Sequence, residues 1–389
     1  MRARPFQRWR DVPSLVGCTF TVARCPFPNS IAFRASAESG RVATSISGEG
    51  RDDAEAIAAT VAASYADGGT LAISGHRSKR FLGEAQAQAT LSVAGHTGVI
   101  AHRPNELVLT ARAGTPLAHI ERLLDSHRQM LPFDPPQYGG QGTFGGAIAT
   151  GLAGPARPWR GGVRDSVLGV EIVNGMGERL RFGGSVIKNV AGYDISRLVT
   201  GAFGTLGVIL SASVRLLPKP EAEQTLVQEC DVARAGRWLR AWVRWPLPIT
   251  ATCFENGLLR VRVSGARTAI ADAATELGMP MRDPDPTFWQ RVRDHDHPWF
   301  DGDAPLARIA IPRGTPFERD DALIEWGGSQ AWLRDDNVDP PPGGHVRSYR
   351  PALPAPVSNP ALARYMQRIK DAFDPKGILN PGLVPLNAA

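Results

Sequence analysis

Two glycine-dense stretches and one short donor-rich loop carry the residue types that could do chemistry in this 389-residue chain. Gly139-Gly140-Gln141-Gly142-Thr143-Phe144-Gly145-Gly146-Ala147-Ile148-Ala149-Thr150-Gly151 follows the Pro-rich segment Leu131–Pro136, and Gly201-Ala202-Phe203-Gly204-Thr205-Leu206-Gly207-Val208-Ile209 closes the region. Positions without a Cβ let backbone adopt φ > 0 or lie against a ligand, with N–H groups facing phosphate oxygens, so the pattern predicts half of a cofactor cradle. Ahead of it, Gly75-His76-Arg77-Ser78-Lys79 brings a glycine, a hydroxyl and a cation to the tip of a strand. Such a loop either holds a pyrophosphate through backbone N–H groups and charge-assisted bonds or is a surface turn.

Gly140-Gln141-Gly142-Thr143-Phe144-Gly145 satisfies G-x-G-x-x-G literally. A nicotinamide-binding βαβ unit needs a buried strand before the glycines. Here Pro132, Pro135 and Pro136 precede them, and proline cannot donate to a central ladder. Asp294-His295-Asp296-His297 has the composition of a metal site, but adjacent acids and imidazoles in a polar, Pro-flanked stretch are expected to form a solvated loop, and no metal is assigned. Cys18, Cys25, Cys230 and Cys253 are too dispersed for an iron–sulfur cluster or a disulfide framework, and imply a reducing compartment.

The elements that must position these residues follow from periodicity. Asp52-Asp53 can cap a helix with Ile57, Val61 and Tyr65 at four-residue spacing, ended by Gly68-Gly69; Thr70–Ser74 is a strand delivering the Gly75 loop. Leu107–Ala113 alternates as a strand, and Thr115-Pro116 opens a helix whose apolar face is Leu117, Ile120, Leu123 and Leu124. Val167–Val173 and Arg179–Phe182 flank Gly175-Met176-Gly177-Glu178 as a hairpin, and Gly207–Leu216 is a strand with Val208, Leu210, Ala212, Val214 and Leu216 on one face. Strands outnumber helices and pair in hairpins, which predicts an α+β architecture. Residues 1–45 read as an extension without order, 46–218 as one domain split near 106, 221–349 as a smaller α+β domain after Pro218 and Pro220, and 355–389 as a helix and tail returning to the first domain.

Apolar content of 43% with 21% charge is that of a globular chain, and no run of eighteen apolar residues could span a bilayer. The net charge of +6 is carried almost wholly by scattered arginines; nucleic-acid binding would need them clustered, whereas an anionic cofactor or substrate gains from a moderately basic surface.

The segments Gly75–Gly83, Ala111–Leu117, Thr143–Gly154, Arg164–Gly169, Lys188–Asp194 and Gly204–Ile209 resemble the FAD-binding domain of the vanillyl-alcohol oxidase family, the p-cresol methylhydroxylase type. From about Ser45 onward the chain resembles more closely the FAD-binding subunits of bacterial glycolate oxidases, with Glu325-Trp326-Gly327-Gly328 and Phe373-Asp374-Pro375-Lys376-Gly377-Ile378-Leu379-Asn380-Pro381-Gly382 matching their C-terminal parts. The resemblance implies a two-subdomain FAD-binding domain followed by a smaller α+β domain. In it, Ser74, Gly75, His76, Arg77, Ser78 and Lys79 would wrap the FAD pyrophosphate. Pro136, Thr143, Phe144, Gly145, Gly146, Ala149, Thr150, Gly154 and Pro155 would form a second clamp, Gly161 and Asp165 would line the cofactor path, and Gly204, Gly207, Val208 and Ile209 would lie along the ribityl chain and flavin. Covalent attachment would need histidine or cysteine directly before Ser78, where Arg77 stands, so noncovalent FAD is implied.

The resemblance further implies a cytoplasmic subunit of a glycolate (2-hydroxy-acid) dehydrogenase, forming glyoxylate with a second flavin subunit and an iron–sulfur subunit and touching a membrane only through those partners. The Gly-His-x-Gly-Asp-type motif and clustered histidines of catalytic flavin subunits are missing here. His295, His297, His345 and Tyr193 are candidate bases in unrelated contexts, so no catalytic residue is assigned. A self-sufficient FAD oxidase or dehydrogenase of a small alcohol or hydroxy acid, and a structural subunit with a vestigial flavin fold, are the alternatives.

Overall fold

The computed structural model describes residues 50–184, 194–242, 244–279, 281–335, 337–351 and 359–384. The first helix, Ala54–Asp67, starts where Asp52 Oδ1 accepts from the Ala54 N–H at 3.1 Å and stops at Gly68, whose φ of 73° only glycine takes cheaply. Ile57 and Val61 are buried, and Tyr65 packs beside them. The helix leads into Leu71–Ser74, which pairs in parallel with Ala89–Ser92.

A five-stranded antiparallel sheet follows, in the order Val99–Arg103, Val108–Arg112, Val208–Arg215, Val167–Val173, Arg179–Gly183. The expected hairpin is present, and Asn174 Oδ1 closes its turn by accepting from the Met176 and Glu178 N–H groups. The central strand departs from the one-faced alternation its sequence predicts. Its register against Val167–Val173 slips between Glu171 and Ile172, which inserts an extra residue at Leu210. Such a bulge reverses side-chain parity. Val208 and Leu210 therefore pack against the first helix, while Ile209, Ala212, Val214 and Leu216 join the core under Leu117–Ser126 and Phe144–Thr150.

The chain passes to a second, eight-stranded sheet after Leu217–Pro218, which pairs with Gln129–Met130. All recorded pairings of this larger sheet are antiparallel, from Met281–Arg282 at one edge to His345–Arg350 at the other. Its core holds Leu226, Phe254, Val261, Ile309 and Leu333 beneath the helices Val232–Trp242 and Arg267–Leu277. The two sheets are joined by ion pairs and hydrogen bonds, among them Arg262 Nη2 to Asp134 Oδ2 at 3.0 Å and the Gln137 N–H to Asp294 Oδ1 at 2.7 Å.

The last contact corrects one expectation. Asp294-His295-Asp296-His297 is not a solvated loop: Asp294 is buried, and the His295 ring stacks on Phe300 at 4.4 Å and meets Trp332 edge-on at 4.7 Å. Polarity of the four residues suggested exposure, but the Phe288–Asp294 helix ends there with His295 in the left-handed conformation, turning its ring into the aromatic cluster. Among the described residues no group of three metal-ligating side chains converges, and no described helix is long and apolar enough to cross a membrane.

The C-terminal helix Pro360–Phe373, capped by Asn359 Oδ1, leads into a segment tied to both sides of the first sheet region. Leu379 bridges to Leu71, and Asn380 accepts the Ile73 N–H at 2.7 Å while donating to the Phe203 carbonyl at 2.6 Å.

Candidate functional site

A cleft of about 380 Å³ opens between the loop after Leu71–Ser74, the start of the Phe144–Thr150 helix and the turn 203–207. Ser74, Gly75, His76, Arg77, Ser78 and Lys79 form one wall; Thr143, Gly145, Gly146, Ala149 and Thr150 form the second; Gly204, Gly207 and Ile209 form the third. Three segments far apart in the chain are thus brought to one space.

Close approach explains part of the glycine content. A Cβ on Gly75 would lie 2.7 Å from Thr143 Oγ1, and one on Gly146 would lie 2.9 Å from the same atom. Glycine at both positions lets the first wall close onto the cap of the second. Gly145 is a packing glycine as well, since a Cβ there would meet the Ala113 Cβ at 2.5 Å and its Cα at 2.9 Å. Gly145→Ala is expected to destabilise the chain by about 1–3 kcal/mol through overpacking, measured as a lower urea midpoint; an unchanged midpoint would mean that the two backbones separate freely.

The donors divide unevenly between the walls. In the Thr143 turn three N–H groups are spent internally: Phe144 donates to the Thr115 carbonyl, Gly145 to the Ala113 carbonyl and Gly146 to Thr143 Oγ1. In the other wall, no acceptor among the described residues meets the N–H groups of Gly75, His76, Arg77, Ser78 or Lys79. Arg77, at φ 62°, is the turning point of that run. Lys79 adds an ammonium with no carboxylate within 4.0 Å among the described residues, resting 5.5 Å from the centre of the Tyr138 ring. Burial lowers the Lys79 pKa to about 8 against the opposing attraction of Asp294. Free N–H groups beside an unpaired cation fit an anion such as a pyrophosphate.

Pro136, Phe144, Gly154, Pro155, Gly161, Asp165 and Val208 stand outside this wall. Phe144 and Val208 are fully buried in the two cores. Gly154 fits against Asp134 and Arg293, and Asp165 accepts the Gly162 N–H at 2.8 Å, closing the Gly161 turn. Ile73, Val93, Ala113, Phe203, Asn380 and Leu383 line the cleft without having been singled out. Asn380, Ala113 and Phe203 lie inside segments that the sequence marked, the turn Asn380-Pro381-Gly382, Ala111–Leu117 and the stretch from Gly201 to Ile209; Ile73, Val93 and Leu383 carry no signal of their own.

Of the candidate bases, His295, His297 and His345 are not part of the cleft lining. His295 is packed in the aromatic cluster, its pKa lowered by burial to about 3; the His297 Nδ1 accepts from the Trp299 N–H; His345 starts an edge strand; Tyr193 lies outside the described residues, as does most of the Lys188–Asp194 match. In the same cluster, burial raises the Glu325 pKa to about 7 against the bond from Trp332 Nε1. Phe203 connects the cleft to this cluster.

Two families match parts of the chain: "FAD binding domain" over residues 52–183 and "FAD linked oxidases, C-terminal domain" over residues 356–384. Over 342 residues the chain is 41% identical to the glycolate oxidase subunit GlcE of Escherichia coli, covering 85% of this chain and 97% of that protein. The glycolate oxidase subunit GlcD of Bacillus subtilis is 38% identical over 121 residues, 31% of this chain and 26% of that protein. Among solved structures, an alkyldihydroxyacetonephosphate synthase superposes with a TM-score of 0.61 at 14% identity, covering 84% of this chain and 74% of that one, a likeness of fold.

Proposed function

From the premise that this chain belongs to the family of the glycolate oxidase subunit GlcE, FAD-dependent oxidoreductases with a p-cresol methylhydroxylase-type FAD-binding domain, we propose that it is the FAD-holding subunit of a 2-hydroxy-acid dehydrogenase. It works beside a second flavin subunit and an iron–sulfur subunit, and the assembly converts glycolate to glyoxylate. The observation that supports this best is the cleft lined on one side by residues 74–79, whose N–H groups at 75–79 meet no acceptor among the described residues, and on the other by the Thr143 turn.

In this reading residues 75–79 bind the pyrophosphate by N–H donation and charge, because the Phe144, Gly145 and Gly146 amides of the Thr143 turn are already engaged. Gly75 and Gly146 keep the two walls in contact, and Gly204, Gly207 and Ile209 carry the remainder of the dinucleotide. FAD when bound supplies the hydride acceptor for the hydroxyl-bearing carbon. Arg77 in place of a tethering histidine or cysteine leaves the cofactor noncovalent. Taking the hydroxyl proton requires a base within hydrogen-bond reach of the substrate, and neither His295, His297 nor His345 lines the cleft. In this reading the base comes from the partner subunits.

Purified chain is expected to be yellow and to release all its FAD on acid precipitation. Its flavin should stay oxidised under anaerobic glycolate or D-lactate until the other two subunits are added. Flavin retained on the precipitated chain would refute the noncovalent assignment; rapid bleaching of the isolated chain would instead establish a self-sufficient enzyme.

A further inference from the structure

Trp326 carries two guanidinium groups on one indole. Arg157 Cζ lies 4.6 Å and Arg308 Cζ 4.9 Å from the centre of its ring. Like charges gathered this closely are ordinarily separated by an acid, and none stands there: among the described residues neither arginine has a carboxylate oxygen within 4.0 Å. Arg308 donates to neutral groups only, Gln330 Oε1 at 2.5 Å and the Tyr349 hydroxyl at 3.4 Å, and Arg157 meets no acceptor among the described residues. The acids that act on the pair from farther away are engaged elsewhere, Asp165 by the Gly162 N–H and Glu325 by Trp332 Nε1. Partial burial, and then the charge of Arg308, lower the pKa of Arg157.

The indole is itself incomplete. Trp326 is 8% exposed, and its Nε1 meets no acceptor among the described residues. A buried donor left unpaired is costly. The backbone holds it there through three consecutive left-handed residues, Trp326, Gly327 and Gly328, at φ 57°, 66° and 84°. A left-handed tryptophan is strained, and strain of this kind collects at ligand sites.

We propose that Arg157, Arg308 and the Trp326 indole form a binding site for a small carboxylate, the carboxylate end of a 2-hydroxy acid. A planar two-oxygen anion matches the fork of either guanidinium, supplies the negative charge that no nearby acid gives this pair and can accept from a donor such as the indole N–H. The placement suits such a ligand: Phe203, which lines the cleft, and Leu152, five residues before Arg157, pack against the aromatic cluster that contains Trp332, the partner of Glu325. Naming the acid rests on the function proposed above; the anion site itself does not.

The test is calorimetric titration of the full purified chain with sodium glycolate under anaerobic conditions, with flavin content and urea midpoint measured on each sample. Glycolate binding is expected, weakened by about tenfold or more in Arg308→Lys, which keeps the charge but loses the fork. Arg157→Gln, at an exposed helix position that should fold normally, is expected to weaken it as much, with flavin content unchanged in both. No glycolate binding at millimolar concentration, parental affinity in both variants, or equal binding of inorganic phosphate would each overturn the carboxylate site. A chain that binds glycolate but holds no flavin would keep this site and refute the FAD-holding role.

Discussion

Lys79→Met is expected to weaken FAD binding by about 2–3 kcal/mol, or roughly 30- to 150-fold, the scale of a charge-assisted bond to a buried anion. The effect should be this large because the Phe144, Gly145 and Gly146 N–H groups of the Thr143 turn are already engaged and cannot compensate. It should also be pH-dependent. The Lys79 ammonium titrates at about 8 in the fold against 10.5 ordinarily, so it is present below about pH 8 and lost above it. Parental affinity is thus expected to fall as pH rises through 8 to 10, and the variant should show no such slope. Stability of the flavin-free chain should move the opposite way. Between about 8 and 10.5 the unfolded chain binds the extra proton, so this residue makes folding more favourable as pH rises. Fluorescence titration of FAD at several pH values reads the first effect; a variant with the parental pH profile would remove Lys79 from the phosphate wall.

Lys370→Met should do more to the fold itself. The Lys370 ammonium is buried and donates to the carbonyls of Thr205 and Leu379 and to Asp374 Oδ2, at 2.7, 3.1 and 2.6 Å. Asp374, 1% exposed, in turn accepts from the Ile378 and Leu379 N–H groups. Removing the cation leaves a carboxylate without its counter-charge in the interior, a loss of about 3–5 kcal/mol. Because Thr205 lies in the 203–207 turn that carries the third wall, and Leu379-Asn380 grips Leu71 and Ile73 in the strand that leads to the first, flavin retention should fall together with the urea midpoint. A lowered midpoint with full flavin content would make the tail a stabilising element with no part in shaping the cleft.

Sequence alone determined what is written in local spacing. The helices over 54–67 and 117–126, the hairpin through Asn174 and the strand ending at Ser74 follow from caps, periodicity and turn residues acting within a few positions. The Gly75–Lys79 loop and the glycines of 143–146 and 204–207 were legible for the same reason: a missing Cβ shows in the sequence wherever backbone must come close.

Only the tertiary structure decided what depends on partners distant in the chain. It showed that the Phe144 and Gly145 amides donate to the Thr115 and Ala113 carbonyls and that of Gly146 to Thr143 Oγ1, a use fixed by which backbone lies alongside. It reversed the side-chain parity at Leu210, because a bulge depends on the register of the neighbouring strand. It buried Asp294 and His295, whose polarity predicted exposure, since Gln137 and Phe300 supply partners that no local pattern reveals. Arg157, Trp326 and Arg308 meet for the same reason: their charge and size are visible in the sequence, but their convergence is produced by the packing of the Arg157–Arg160 helix against the larger sheet.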